Sequence, residues 1–217
     1  MQKTNELKYD IFRTYYWEGA KTVGKYRMPQ LKPTQFIPNE AISFNEIKHL
    51  KENDERRVDF FIYDYMFESF WKNPFKYFEK LKKAAGIIGT DFSMYPELAP
   101  AQNIWNCTRN RIMSYLLQEN NFNTIPVASW CFESDFEWCF DGLPKKSSIA
   151  ITSNGCSSSK YAMKMFIKGV EALYENTKFS NLIVCGRPVK ELDLEFKNVC
   201  YYPNFNERLR RRLKNGK

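Results

Sequence analysis

Histidine is almost missing from this chain: His49 is the single one among 217 residues. Catalysis through paired imidazoles, and any metal site built on two histidines, is thereby excluded. No C-x-x-C pair occurs, and the six cysteines stand apart at 107, 131, 139, 156, 185 and 200. Zinc centres draw paired ligands at short spacing, so these cysteines read as buried free thiols in a reducing compartment. No apolar run reaches membrane-spanning length, so no membrane association is expected. The opening MQKTNELKYD is too polar for a secretory signal, and a cytoplasmic protein is expected. The phosphate loop G-x-x-x-x-G-K-[ST] is also missing.

What is present is globular. Hydrophobic residues make up 43% and aromatics 17%, which argues against disorder. The length suits one domain. The net charge of +8 is unevenly placed, because residues 208–217 hold six basic groups and no acidic one. The remainder, with 27 basic against 25 acidic residues, is nearly neutral. A basic C-terminal arm of this kind attracts nucleic acid or another anionic surface, Arg208, Arg210, Arg211 and Arg212 being its candidate contacts. It could equally be a solubilising terminus.

Three segments are expected. Residues 1–57 carry Gly19, Gly24, Pro29, Pro33 and Pro38, which interrupt helices. Tyr15, Tyr16, Trp17, Tyr26 and Phe36 make an aromatic wrap of this stretch, with short strands near Phe36–Ile37 and Ile42–Phe44 and a charged connection over 48–57. Residues 58–207 alternate strand and helix. Strands are expected from Val58 to Asp64, Gly86 to Asp91, Thr124 to Trp130, Ser148 to Thr152, Asn181 to Cys185 and Val199 to Tyr202. Helices are expected over 74–85, 100–119 and 160–176, with a short one after Ser134 and Glu137 at capping-box spacing. Residues 208–217 are the arm.

This alternation specifies an α/β fold with a largely parallel sheet of five or six βα units, either a reduced TIM-like barrel or an open sheet. In both layouts ligands gather at the carboxyl ends of the strands. Asp64, Asp91 with Ser93, Ser129 with Trp130, Ser153 with Asn154, and Arg187 would then share one edge. Asp64 and Asp91 could hold Mg²⁺ for phosphoryl chemistry or divide acid and base duties. The plainer reading is that each caps a helix or holds a turn. The loop SNGCSSSK, residues 153–160, precedes a helix and offers Ser153, Asn154 and backbone N–H groups to an anion, with Arg187, directly after a strand, better placed as a cation than Arg109 or Arg111. Ser93 would join them, and Trp130 could stack a ring. Arg109 and Arg111 lie mid-helix and read as solvated. A nucleotide or nucleic acid is therefore the expected ligand. The alternative is an accessory protein that binds another protein through the aromatic wrap and the MFESFW segment.

The segments VDFFIYDYMFESFW, IIGTDFSMY, the N-x-x-R-N-R helix, TIPVASW and FDGLPKKSSIAITSNG occur in that order. Together they resemble the family called domain of unknown function 4417, from about Pro29 to Pro203. The family pattern has proline before the aspartate of the second segment, where this chain has Thr90. The resemblance implies a phage or mobile-element protein acting inside the bacterial host cell. It implies no activity and no catalytic residues.

Overall fold

The computed structural model describes residues 10–37 and 40–215. Seven strands run parallel and follow one another in chain order: β3 (Ala41–Ser43), β4 (Asp54–Asp59), β5 (Ala84–Ile88), β6 (Thr124–Ile125), β7 (Ser148–Thr152), β8 (Asn181–Cys185) and β9 (Val199–Tyr202). A small antiparallel pair, β1 (Thr22–Val23) and β2 (Met28–Pro29), precedes them. The crossing helices are α1 (Glu68–Lys72), α2 (Phe75–Leu81), α3 (Pro100–Glu119), α4 (Lys160–Thr177) and α5 (Lys190–Glu195), and α6 (Phe205–Asn215) closes the chain.

The seven strands form a group of four and a group of three, joined by one parallel bridge between Val127 and Ala150. Pro126 marks the join. It has no N–H, so the ladder to β5 stops at Ile125, while its own carbonyl accepts from Ala150 at 2.9 Å on the β7 side.

Both faces of the curled sheet are apolar, as parallel sheets require. Phe61, Ile88, Ile125, Val127, Ala150, Ile183, Cys185 and Tyr202 meet in one inner cluster. Outside, one cluster packs Phe60, Phe67, Phe70 and Trp71 with Ile112 and Leu117 of α3. Another packs Ile149, Leu182 and Val184 with Phe166, Val170 and Leu173 of α4. Among the described residues no ladder joins β3 to β9. The two margins meet through side chains, with Phe61 and Tyr202 ring centroids 6.5 Å apart and Arg208 donating to Asp59 and Ser43. The architecture is a curled, open α/β sheet.

Several expected boundaries move. The strand expected to end at Asp64 ends at Asp59, because that buried carboxylate accepts from the Phe61 N–H at 3.2 Å and turns the chain. Asp64 opens a 3₁₀ turn beyond it, Asp64–Met66. The strand of the GIIGTD stretch ends at Ile88, ahead of Asp91. The helix expected to reach Ala85 stops at Leu81, since β5 begins at Ala84. Strand β3 lies one residue from the short strand expected near Ile42–Phe44, the first half of β4 falls within the stretch 48–57 read as a charged connection, and no strand forms at Phe36–Ile37. Ser134 does not cap: Asp135 accepts from the N–H groups of Cys131 and Phe132.

The C-terminal segment is not a free arm. It continues the helix α6, whose Arg208 side chain is largely buried against Asp59 and whose Arg212 pairs with Glu46 at 2.6 Å. Arg210 and Arg211 remain exposed. Gly216 and Lys217 of that segment lie outside the described residues.

Candidate functional site

A cavity of about 680 Å³ opens where the strands end. Five of the strands hand a loop to its wall, β8 being passed over: Phe61 comes after β4, Asp91 and Ser93 after β5, Ser129 and Trp130 after β6. Asn154 follows β7 and Asn204 follows β9. The expected convergence of Asp91, Ser93, Trp130 and Asn154 on one surface is therefore what the fold produces.

Among the described residues Asp91 is the one carboxyl that lines the cavity. Burial, and then the neighbouring charge of Asp64, push its carboxyl up to about 7, against a smaller opposing pull from the Ser129 hydroxyl, which donates to it at 3.2 Å. A carboxyl near 7 can give or take a proton at neutral pH. Asp64, expected on the same edge, is not among the residues that line the cavity and is engaged differently. It accepts from the Ser93 N–H at 3.1 Å and from the Ser93 hydroxyl at 2.9 Å, which tethers the loop after β4 to the loop after β5. Burial raises its pKa as well, while these bonds and the charge of Arg109 pull the other way.

Helix α3 holds the Asp91 loop by a device the sequence reading missed. Asn110 accepts from the Phe92 N–H at 2.7 Å and donates to the Phe92 carbonyl at 3.1 Å. Asn103 makes the same pair of bonds with Tyr95, and Asn106 donates to the Ser93 carbonyl. The visible signal was the N-x-x-N-x-x-x-N spacing, which sets all three on one helix face. Arg109 and Arg111, read as solvated, are not. Arg109 pairs with Glu68 at 2.5 Å and lies 3.5 Å from the Phe92 ring centroid. Arg111 is buried and donates to the carbonyls of Val127, Cys139 and Asp141.

Trp130 lies flat against α4, where Gly169 leaves room: a Cβ there would fall 2.0 Å from Trp130 Cε2. Its indole N–H donates to the Met165 carbonyl and its ring stacks on Phe166. One face of a cavity wall is thus a fixed aromatic plane. Across the loop SNGCSSSK, the first-turn residues Tyr161 and Ala162 of α4 line the cavity, as do Phe205 and Asn206 of α6. Ser159 caps α4 by accepting from the Ala162 N–H. Asn204 and Glu207 form a reciprocal capping box for α6, a spacing legible in the sequence but not singled out there. Two helix starts, each with partial positive charge, therefore border one cavity.

Ser153 and Arg187 lie next door. Ser153 is buried and donates to the Arg187 carbonyl at 3.0 Å. Both line a smaller cavity of about 180 Å³ that shares Asn154, Gly155, Cys156 and Asn204 with the large one. The Arg187 side chain is exposed and stands 3.6 Å from Glu207. Among the described residues no lysine or arginine lines the large cavity, and no three His, Cys, Asp or Glu side chains cluster as metal ligands. Of the aromatics invoked for protein binding, Tyr16, Phe67, Phe70 and Trp71 are buried, while Tyr15, Trp17, Tyr26 and Phe36 are half-buried. No helix among the described residues is long and apolar enough to cross a membrane.

Comparison with known proteins matches these elements to relatives. Residues 20–203 match the family model described as Domain of unknown function (DUF4417). The Gene 1 protein of Mycobacterium phage L5 is 30% identical over 188 residues, covering 86% of this chain and 82% of that protein. The Gene 1 protein of Mycobacterium phage D29 is 28% identical over 190 residues, covering 87% of this chain and 70% of its own. No solved structure matches. The matched segment runs from before β1 to the end of β9 and contains the whole sheet, and the chain belongs to the phage-associated DUF4417 family.

Proposed function

We propose that the large cavity binds a nucleotide, with its phosphate at the starts of α4 and α6 and its base or sugar between Trp130 and Asp91. Two helix starts and one carboxyl on a largely apolar wall support this. Anions are favoured at helix N-termini, and a carboxyl near 7 suits the N–H and O–H groups of a base or sugar. Asn154, Ser93 and Asn204 supply further polar contacts, and Arg187 adds positive charge from the adjoining cavity. The observation that carries the reading is Asp91: a carboxyl pushed up to about 7 that lines a cavity large enough for a small ligand.

Asp91 is then the group that moves a proton in any reaction, and Asp64 is a positioning residue that fixes the Ser93 loop. The Mg²⁺ form of the proposal reverses the ligand, with the phosphate turned to Asp91 so that the two would share the ion, and Asp64 behind Ser93 as an outer acceptor. The test is calorimetric titration of mononucleotides with and without Mg²⁺, alongside the Asp91→Asn variant. Binding that releases or takes up a proton near pH 7 in the wild type, and not in the variant, supports the reading. Absence of binding at millimolar nucleotide would sink it. Mg²⁺ that tightens binding only while Asp91 is present would assign the metal role. The protein-partner alternative is weaker for the MFESFW segment, whose Phe67, Phe70 and Trp71 pack in the core.

A further inference from the structure

The rim of the cavity has a feature that a free mononucleotide does not use. Tyr63 and Tyr65 are 65% and 74% exposed, yet their rings are stacked, 5.9 Å between centroids and 11° from parallel. They flank Asp64, so the Asp64–Ser93 bonds hold both rings beside the cavity that Tyr63 lines. Two more exposed tyrosines, Tyr95 and Tyr161, line the same cavity. Large rings left in water at a cavity mouth and held in fixed planes are what unpaired bases stack on.

Charge points to the same occupant. Helix α6 starts at the cavity with Phe205 and Asn206 and runs about 16 Å from it, at 1.5 Å per residue. Arg208 and Arg212 are bound to Asp59 and Glu46 on its packed side. Arg210, Arg211 and Lys214 are exposed along its length. A flexible phosphate backbone leaving the cavity would find these cations, and a mononucleotide would not reach them.

We infer that the nucleotide the cavity takes is one unit of a single-stranded polynucleotide, its neighbouring bases stacking on Tyr63 and Tyr65 and its backbone following α6. This rests on the nucleotide reading of the cavity. A duplex, whose bases are already stacked, offers the rings nothing.

The experiment measures binding of fluorescein-labelled ten-nucleotide thymidine and uridine homopolymers, of a duplex, and of thymidine 5′-monophosphate, at 50 to 200 mM salt. The single strand is expected to bind at least tenfold more tightly than the monophosphate or the duplex. Tyr65→Ser, the ring of the pair that stands outside the cavity lining, should cut oligonucleotide affinity about tenfold and leave the monophosphate unaffected. This exposed position carries little folding energy, so the variant folds. Exchanging Arg210, Arg211 and Lys214 for Gln should flatten the salt dependence by about 0.7 in log–log slope for each phosphate that is no longer neutralised. A monophosphate that binds while the oligonucleotide binds no tighter overturns this inference and leaves the cavity reading standing. Full oligonucleotide affinity in the tyrosine variant, or equal affinity for the duplex, also overturns it. Failure of both ligands to bind overturns both readings. A thymidine over uridine preference, or the reverse, distinguishes DNA from RNA as the strand.

Discussion

Replacing Asp91 by asparagine should stabilise the fold, and only where the native carboxyl is forced to ionise. The ordinary aspartate value is 3.8 and the folded value is about 7. Between these values the folded chain keeps the Asp91 proton and the unfolded chain releases it. Stability therefore falls as pH rises through this window and levels off above it. At 1.36 kcal/mol per pH unit the full penalty above pH 7 is about 4 kcal/mol. Asp91 opens onto a cavity, and water there screens its charge, which brings the expected figure to about 2 kcal/mol. Asp91→Asn keeps an oxygen to accept from Ser129 and carries no charge at any pH. The variant should match the wild type near pH 3 and exceed it by about 4–8 °C in Tm at pH 8 for a chain of this size. Melting curves of both proteins across this range isolate the one group, since all other titrations cancel in the difference. Adding Asp64→Asn to both proteins should narrow the gap, because the Asp64 charge contributes to raising Asp91. A gap that does not change with pH, or a variant less stable than the wild type at pH 8, would refute the reasoning.

Two further substitutions test the frame around the site. Arg208→Met leaves the Asp59 carboxylate buried without its partner, and should cost about 3–5 kcal/mol in urea unfolding; Asp59→Asn in the same chain should restore part of the loss, and a cost below about 1 kcal/mol would show that the helix end is not anchored there. Gly169→Ala places a methyl group where Trp130 rests, so the indole must leave α4; a loss of about 1–3 kcal/mol and a red-shifted tryptophan emission are expected, and unchanged emission would show that the ring is not seated as described.

Period and composition made the sheet legible where strands are short apolar runs between helices. β7, β8 and β9 lie where Ser148–Thr152, Asn181–Cys185 and Val199–Tyr202 were expected, because β-branched runs bounded by turns have little else to form. Helix α3 was placed correctly as well, although its buried face is half polar and its apolar stripe correspondingly thin. Tertiary pairing was not legible. Strand β3 lies one residue from the short strand expected near Ile42–Phe44, yet nothing in the sequence showed that it pairs with β4 or that β4 starts at Asp54. The arm was misjudged for a related reason: six basic residues in ten look like a solvated tail, but Asp59 and Glu46, distant in sequence, supply the carboxylates that fasten it. For the site, the edge rule found Asp91, Ser93, Trp130 and Asn154. It could not tell that the Ser153 hydroxyl is spent on the Arg187 carbonyl, because that bond belongs to the close passage of two loops.

The buried polar face of α3 explains why Asp91 can be held at an unfavourable ionisation at all. β5 ends at Ile88, and the chain from Thr90 to Tyr95 leaves the sheet with backbone groups that need partners. Left to water, such a loop would relax and let the carboxylate be solvated, which would return its pKa toward the ordinary value. An asparagine side chain carries one acceptor and one amide donor group, much as a peptide unit does. Asn103, Asn106 and Asn110 therefore act toward this loop as a neighbouring strand would, making five bonds to Phe92, Ser93 and Tyr95. At about 1 kcal/mol for each bond, the set matches the roughly 4 kcal/mol ceiling on the Asp91 penalty. Phe92, fully buried between Asp91 and Ser93 and covered by Arg109, locks the loop from the core side. The strained group and the clamp that holds it are thus one unit, and a helix face that looks wasteful as core packing is what keeps a proton available at neutral pH.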